Sequence, residues 1–346
     1  MTAGRRALDA TITAGGDWSN NEMAEQDLHV VVGAGPVGRA VICELAARGF
    51  RVRAVARHGV AELPDGVETM LADITDEAAA GRAIKGAAVV YHAASAPYHR
   101  WPELLPPLMR GVVAGAAAAG ARIVYADNLY AYGPIEGPLT EDLPSRATGP
   151  NGRVRAVLAS QLMDAHARGG VRAAIGRASD FYSPWGRQST AGERLFVPAL
   201  RGRATQVLGD PDLPHTYTYL GDFARGLVTL GIRDEALGQV WHLPSAETLT
   251  TRGFIELVYE TVGNPARLSV MPPALLGLLA VFSPMLRAVR EQQYQRDGAW
   301  VVDHAKFERA FGAEVTPHAD AIATTLSWWR LDGESAAAPA SQAVAR

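Results

Sequence analysis

Leu28-His29-Val30-Val31-Val32-Gly33-Ala34-Gly35-Pro36-Val37-Gly38 is the stretch that decides how this chain is read. A short apolar run ends in three glycines spaced GxGxxG, and a helical apolar pattern follows over Val37–Arg48. That order predicts a strand, a tight turn and a helix. Each glycine has its own task there. Gly33 permits the turn, Gly35 lets the backbone approach a pyrophosphate, and Gly38 lets the helix pack on the strand. Pro36 and Val37 open the helix, whose free N–H groups and dipole attract phosphate. A Rossmann dinucleotide-binding domain is the expectation.

Outward from this stretch the alternation continues. Apolar runs at Arg51–Ala56, Val67–Ala72, Ala87–Ala93, Arg122–Ala126 and Val171–Gly176 read as strands. Helical patterns fall near Glu77–Ile84, Leu104–Ala119 and Arg155–Ala167. Such βαβ succession predicts an α/β fold with a doubly wound parallel sheet. Past residue 180 the rhythm loosens into Pro- and Gly-rich loops between helices, which predicts a smaller C-terminal substrate-binding region. The expected division is a disordered leader over 1–26, an NADP-binding domain over 27–180, a mainly substrate-binding region over 181–331 with some segments returning to the sheet, and a disordered tail over 332–346.

With 346 residues, 48% of them hydrophobic, and a net charge of −3, the chain has an ordinary globular composition. Nucleic-acid binding would need a basic surplus, so none is expected. A lone cysteine, Cys43, excludes an internal disulfide and sits in an apolar helical pattern, as a core residue would. Together with a leader that lacks an apolar segment, this points to the cytoplasm. Pro272–Leu286 is apolar but too short to span a bilayer and is broken by Pro284. It reads as a helix at a substrate mouth or a dimer face, with no membrane partner. Nine scattered histidines show no HxH or HxxxH pair, so no metal is expected.

The second strand ends in Ala56-Arg57-His58, where an NAD site places a carboxylate for the ribose hydroxyl. Arg57 cannot accept that hydrogen bond but pairs well with a 2′-phosphate, and Arg39 offers a second clamp. NADP(H) is the expected cofactor.

Several further segments carry a resemblance. Asp73-Ile74, Tyr91-His92-Ala93-Ala94, the run Val124 to Gly133, Asp180-Phe181-Tyr182-Ser183-Pro184 and Tyr219-Leu220-Gly221-Asp222 occur in order. In these the chain resembles extended short-chain dehydrogenases/reductases, in the epimerase/dehydratase branch, from about Leu28 to Arg330. The resemblance implies that Asp73 and Ile74 cap the adenine and that the backbone of Ala93 and Ala94 lines the cofactor. It also implies a Ser/Thr, a Tyr and a Lys four residues later as the proton-moving set. Here those positions hold Asn128, Asn151 and Arg155. No displaced motif exists, because the only lysines are Lys85 and Lys306. Arg155 could still hold the ribose, whereas Asn151 has no titratable proton. Nucleotide-sugar members place an arginine, gripping the diphosphate, seven residues before the aspartate of the turn; His215 stands there, which disfavours such substrates.

Candidates for the missing acid are Tyr130 and His99, with Tyr132 as a further candidate that also reads as structural, and Asn128 to orient a carbonyl. Tyr98, Trp101, Tyr182 and Trp185 are the expected substrate-side aromatics. Three functions remain open. The first is an NADPH-dependent reductase of a small or mid-sized apolar carbonyl, enone or imine. The second is a non-redox isomerase, cyclase, dehydratase or epimerase on the same fold. The third is a catalytically silent NADP sensor. The helix after Arg155 is one that relatives use for dimers, so a homodimer is the expected assembly.

Overall fold

A computed structural model describes residues 27–60 and 62–337, with side chains to Leu331. The expected leader and most of the expected tail lie outside the described residues. Between them, β1 (Leu28–Val32), α1 (Pro36–Ala47), β2 (Arg51–Ala56), β3 (Glu68–Leu71), α2 (Glu77–Ile84) and β4 (Ala87–His92) follow one another. Then come α3 (Trp101–Ala119), β5 (Arg122–Asn128), α4 (Pro150–Ala167) and β6 (Arg172–Ala178). A seventh strand, β11 (Val240–His242), returns from the later chain, so the sheet runs β3-β2-β1-β4-β5-β6-β11, with every pairing parallel. Strand order reverses between β1 and β4, and the crevice at the carboxyl ends beside that switch is where such sheets bind ligands.

Both faces of the sheet are covered, which is why its central strands read as unbroken apolar runs. Val30, Val31 and Val32 are all buried. One face packs α2, α3 and α4, and the other packs α1 with α6 (Leu220–Ile232). Small residues set how closely α3 approaches: a Cβ at Gly111 would lie 1.7 Å from the Ile74 carbonyl oxygen. Trp101 already begins α3, three residues earlier than the periodicity suggested.

The later chain adds α5 (Glu193–Leu200) and paired strands β8 (Thr205–Leu208) and β13 (Leu268–Met271), with α7 (Thr251–Val262) between them. Short pairs join β7 (Asp180–Tyr182) to β10 (Tyr217–Tyr219) and β9 (Pro214–His215) to β12 (Leu249–Thr250). Then follow α8 (Pro273–Phe282), α9 (Pro284–Glu291), α10 (Ala305–Phe311) and α11 (His318–Ala337). This region has its own core around Phe196, Phe254, Tyr259, Ile322 and Trp329. Three expectations change. Helix α11 runs through residues 332–337, which the composition alone had assigned to a disordered tail. Cys43 is half-buried, on the flank of α1 rather than in its core stripe. Pro284 starts α9 instead of merely ending α8, because a proline is well placed in a helix's first turn.

Candidate active site

The turn after β1 is built by the three glycines in three different ways. Gly33 has φ +96°, and a Cβ there would lie 2.4 Å from Ala94 Cα. Gly38 sits so close beneath it that a Cβ would come 1.7 Å from the Gly33 carbonyl oxygen. At Gly35 a Cβ would meet nothing within 4 Å. That open space faces the N-terminus of α1, where a phosphate fits and a side chain would intrude. Ala93 donates its N–H to Val32 at 2.9 Å, which holds the Ala93-Ala94 backbone against the turn. Arg57 is exposed at the end of β2, close enough to Asp73 to lower that carboxyl's pKa, after the larger effect of its hydrogen bonds from Thr75. Ile74 is a core side chain, so only its backbone can face a ligand. Arg39 reaches over the Trp185 ring at 5.8 Å. Trp185 itself holds φ 63°, an uncommon conformation for a bulky residue, beside that clamp.

A cavity of about 960 Å³ opens from this turn into the later chain. Val37, Ala93 and Ala94 line one end, and Phe254, Met285 and Val289 line the other. A second hollow of about 370 Å³, near Ser245 and His304, shares no residue with the glycine turn.

At the sheet end of the large cavity the expected residues separate into two groups. Asn128, Tyr130, Tyr98, Trp101 and Arg155 all line it. Asn128 Oδ1 accepts from the Tyr130 N–H at 3.1 Å, fixing the turn that presents Tyr130. Tyr98 meets Tyr130 edge-on at 6.2 Å between ring centroids, and Trp101 stacks on Tyr130 at 5.9 Å. Burial pushes both tyrosine hydroxyls above their ordinary pKa, with the Asp180 carboxylate adding to the shift at each. Arg155 lies beneath Trp101, its guanidinium 4.2 Å from the ring centroid. It donates to the Tyr125 hydroxyl at 2.7 Å and to Asp127 at 3.3 Å, while its buried Nε has no partner. An unpaired donor bordering this cavity suits a ribose hydroxyl.

Other expectations are corrected. Asn151 is buried and absent from the cavity wall; its Nδ2 donates to the Tyr98 carbonyl at 3.1 Å. At this position the amide ties α4 to the loop after β4. His99 is exposed at the surface, outside the cavity. Tyr132 is fully buried, bonded to His242 Nε2 at 2.8 Å under the Arg177 guanidinium, so it is structural. Tyr182 is also fully buried, with its hydroxyl 2.8 Å from His318 Nδ1, and belongs to the second core rather than to a substrate surface. Trp185 does not line the cavity but stands beside Arg39. His215 is buried behind the wall, 3.1 Å from Asp180.

Three residues that carry weight here were not singled out in the sequence. Asp180 lines the cavity and accepts from Arg296 at 2.8 Å, from Thr190 at 3.2 Å and from His215. Although its burial acts upward, Arg296 and these hydrogen bonds bring its pKa down to about 2, so it is a carboxylate. Arg296 comes from a loop 116 residues away, and no local pattern could have announced that pairing. Arg177 donates to Asp127 at 2.9 Å, making a buried Arg155–Asp127–Arg177 group with one surplus positive charge. Its signal in the sequence was faint, because Arg177 falls one residue past the run read as a strand and a second arginine, Arg172, sits in that run.

Comparison with protein families matches residues 29–240, more than half of the chain, to the NAD dependent epimerase/dehydratase family. The chain belongs to that family. Comparison with curated protein sequences gives no match. Among solved structures it is similar to gox2253, with a TM-score of 0.74 and 20% identity over 89% of this chain and 99% of that one. It is also similar to a double mutant of DesIV, a dTDP-glucose 4,6-dehydratase from Streptomyces venezuelae with NAD bound (TM-score 0.73, 19% identity, 90% of this chain and 98% of that one). A UDP-glucose 4-epimerase from Thermotoga maritima has a TM-score of 0.72 at 16% identity, over 88% of this chain and 99% of that one. At these identities the likeness concerns the fold. A nicotinamide dinucleotide is the family's cofactor, and the open cradle at Gly35 and the unpaired Arg155 Nε fit such a group.

Proposed function

We propose that this family member is an NADPH-dependent reductase of a neutral, largely apolar carbonyl, enone or imine. The observation that carries the reading is Tyr130, a proton-bearing hydroxyl on the cavity wall, while Asn151 faces away from it. Burial and the Asp180 carboxylate keep this hydroxyl protonated, so the proton is there to give, while Arg296 and Arg155 act the other way and ease its release. Reduction needs a donor. When bound, the dinucleotide supplies the hydride. Tyr130 then protonates the substrate oxygen or nitrogen, and the positive charges of Arg155 and Arg296 favour the phenolate left behind. Asn128 can donate from its amide nitrogen to the same substrate atom. Asp180 supports a neutral substrate, because it already occupies Arg296 and His215, and a diphosphate would have to displace a buried carboxylate.

NADP over NAD is supported by Arg57 at the β2 end and by Arg39 beyond the glycine turn. Loss of a charged pair with the 2′-phosphate is worth about 1.5–3 kcal/mol, roughly tenfold or more in affinity. Fluorescence titration should give NADPH binding tighter than NADH by that factor, and Arg57→Ala should erase the difference. Equal affinities in the unaltered protein would end the NADP assignment. The family's name favours a second reading, epimerisation or dehydration without net turnover of cofactor. A panel of apolar carbonyls should consume NADPH in proportion to product under the first reading; product without NADPH loss would establish the second. A small-molecule substrate, a homodimer and a cytoplasmic location remain part of the proposal.

A further inference from the structure

Among the described residues, most of the large apolar side chains left exposed lie together. Leu275, Leu278, Leu279, Val281, Phe282 and Met285, exposed by 38–81%, fall on α8 and the start of α9, while Leu71, Val157 and Val270 stand singly on other elements. Single exposed hydrophobics need no explanation, but a contiguous patch does. The two helices pack on one another, and α9 also packs against the Tyr98–Arg100 turn at the sheet end of the cavity. Met285, Leu286 and Val289 line the cavity, so α9 faces substrate space on one side while its partner helix faces outward. Helices α8 and α9 carry two arginines, Arg287 and Arg290, both exposed, and a single acid, Glu291, which is half-buried at the end of α9 and lies near Arg287. Arg287 caps the Val281 carbonyl at the end of α8, which fixes a positive charge at the rim of the apolar face.

We propose that the outer face of α8 and α9 docks on an anionic lipid surface and presents the cavity mouth to it. Apolar side chains rimmed by arginine, on helices too short to cross a bilayer, are the composition that lies in a membrane interface. No helix among the described residues is long and apolar enough to span one, so the contact is peripheral. A second copy of the chain is the competing occupant of this face, and the sedimentation measurement below separates the two. The inference rests on the reading that the cavity takes an apolar substrate, because such a molecule concentrates in lipid and would enter from there. It departs from the absence of a membrane partner expected from the sequence.

The experiment is co-sedimentation of the full chain with vesicles of phosphatidylcholine alone and with vesicles containing phosphatidylglycerol. Binding to the anionic vesicles should exceed binding to the neutral ones and weaken as salt rises. The double substitution Leu278→Ser/Phe282→Ser should weaken it by more than about tenfold, and Arg287→Gln/Arg290→Gln should remove the preference for anionic lipid. NADPH titration and circular dichroism of each variant confirm that the rest of the protein is intact. If neither vesicle binds, or if the serine variant binds as well as the parent, the proposal is overturned. It is equally overturned if sedimentation equilibrium shows a dimer that the serine variant loses, since a second copy then covers the face. The lipid readout needs no turnover, so a protein that binds vesicles yet reduces no carbonyl would refute the functional reading and leave the docking surface standing.

Discussion

The glycine turn after β1 and the N-terminus of α4 lie at the same end of one sheet, yet they use sequence differently. At the turn, function resides in backbone. Gly33 and Gly38 would clash with backbone if either carried a Cβ, and Gly35 would intrude on the space before α1. Almost no side-chain choice is involved, so the pattern survives wherever a pyrophosphate must sit. At α4 the candidate positions are side chains instead. Asn151 turns inward to the Tyr98 carbonyl, and Arg155 settles under Trp101. A buried amide and a stacked guanidinium each find partners there, so what these positions do depends on packing that no local spacing sets.

The comparison is broken most forcefully at the α4 end. Tyr130→Phe should lower turnover roughly 10²–10⁴-fold with NADPH affinity unchanged, the cost of deleting a general acid. Asn151→Ala should instead lower stability by about 1 kcal/mol, through the lost bond to Tyr98, with turnover changed less than about tenfold. Steady-state kinetics and thermal melts on the two variants check this, and the reverse pattern would place the acid at 151.

At the backbone end a pair of valine substitutions sharpens the contrast. Gly35→Val should weaken NADPH binding by roughly a hundredfold and leave the melting temperature alone, since its side chain enters open space. Gly38→Val should lose both, because its Cβ meets the Gly33 carbonyl. Should both variants melt normally, the tight packing described here is wrong.

A separate effect is the dependence of stability on pH. Burial brings the pKa values of His29 and His242 down to about 4 and that of His92 to about 3, so all three are neutral in the fold. Once unfolded they bind protons near 6.5. Stability is therefore fully present above pH 6.5 and is lost as pH falls toward 4, by about 1.4 kcal/mol per histidine for each pH unit. Urea titrations between pH 7 and 5 should show that decline, and a flat profile would contradict the buried neutral histidines.

Much of this was legible beforehand, and the reasons are physical. Strands β1, β2 and β4 to β6 announced themselves because a sheet covered on both faces demands apolar runs. Strand β11 did not, since only Val240–His242 pairs and three residues carry no period. Arg155 could be named from the register of residues 150–155, and Tyr130 from its place in the loop at the carboxyl end of β5. Tyr182 was misplaced, and Tyr132 carried two readings, because a tyrosine at a strand's carboxyl end can point to a cavity or to a buried histidine, and only packing decides. Asp180 and Arg296 escaped because their meaning exists only as a pair.

The most direct test of the account is a crystal structure with NADPH bound. It should show the pyrophosphate over Gly35 at the start of α1, the 2′-phosphate on Arg57, and the Tyr130 hydroxyl facing nicotinamide C4 across room for a substrate carbonyl. A structure in which Asn151 has swung into the cavity and Tyr130 is shielded from the nicotinamide would contradict it.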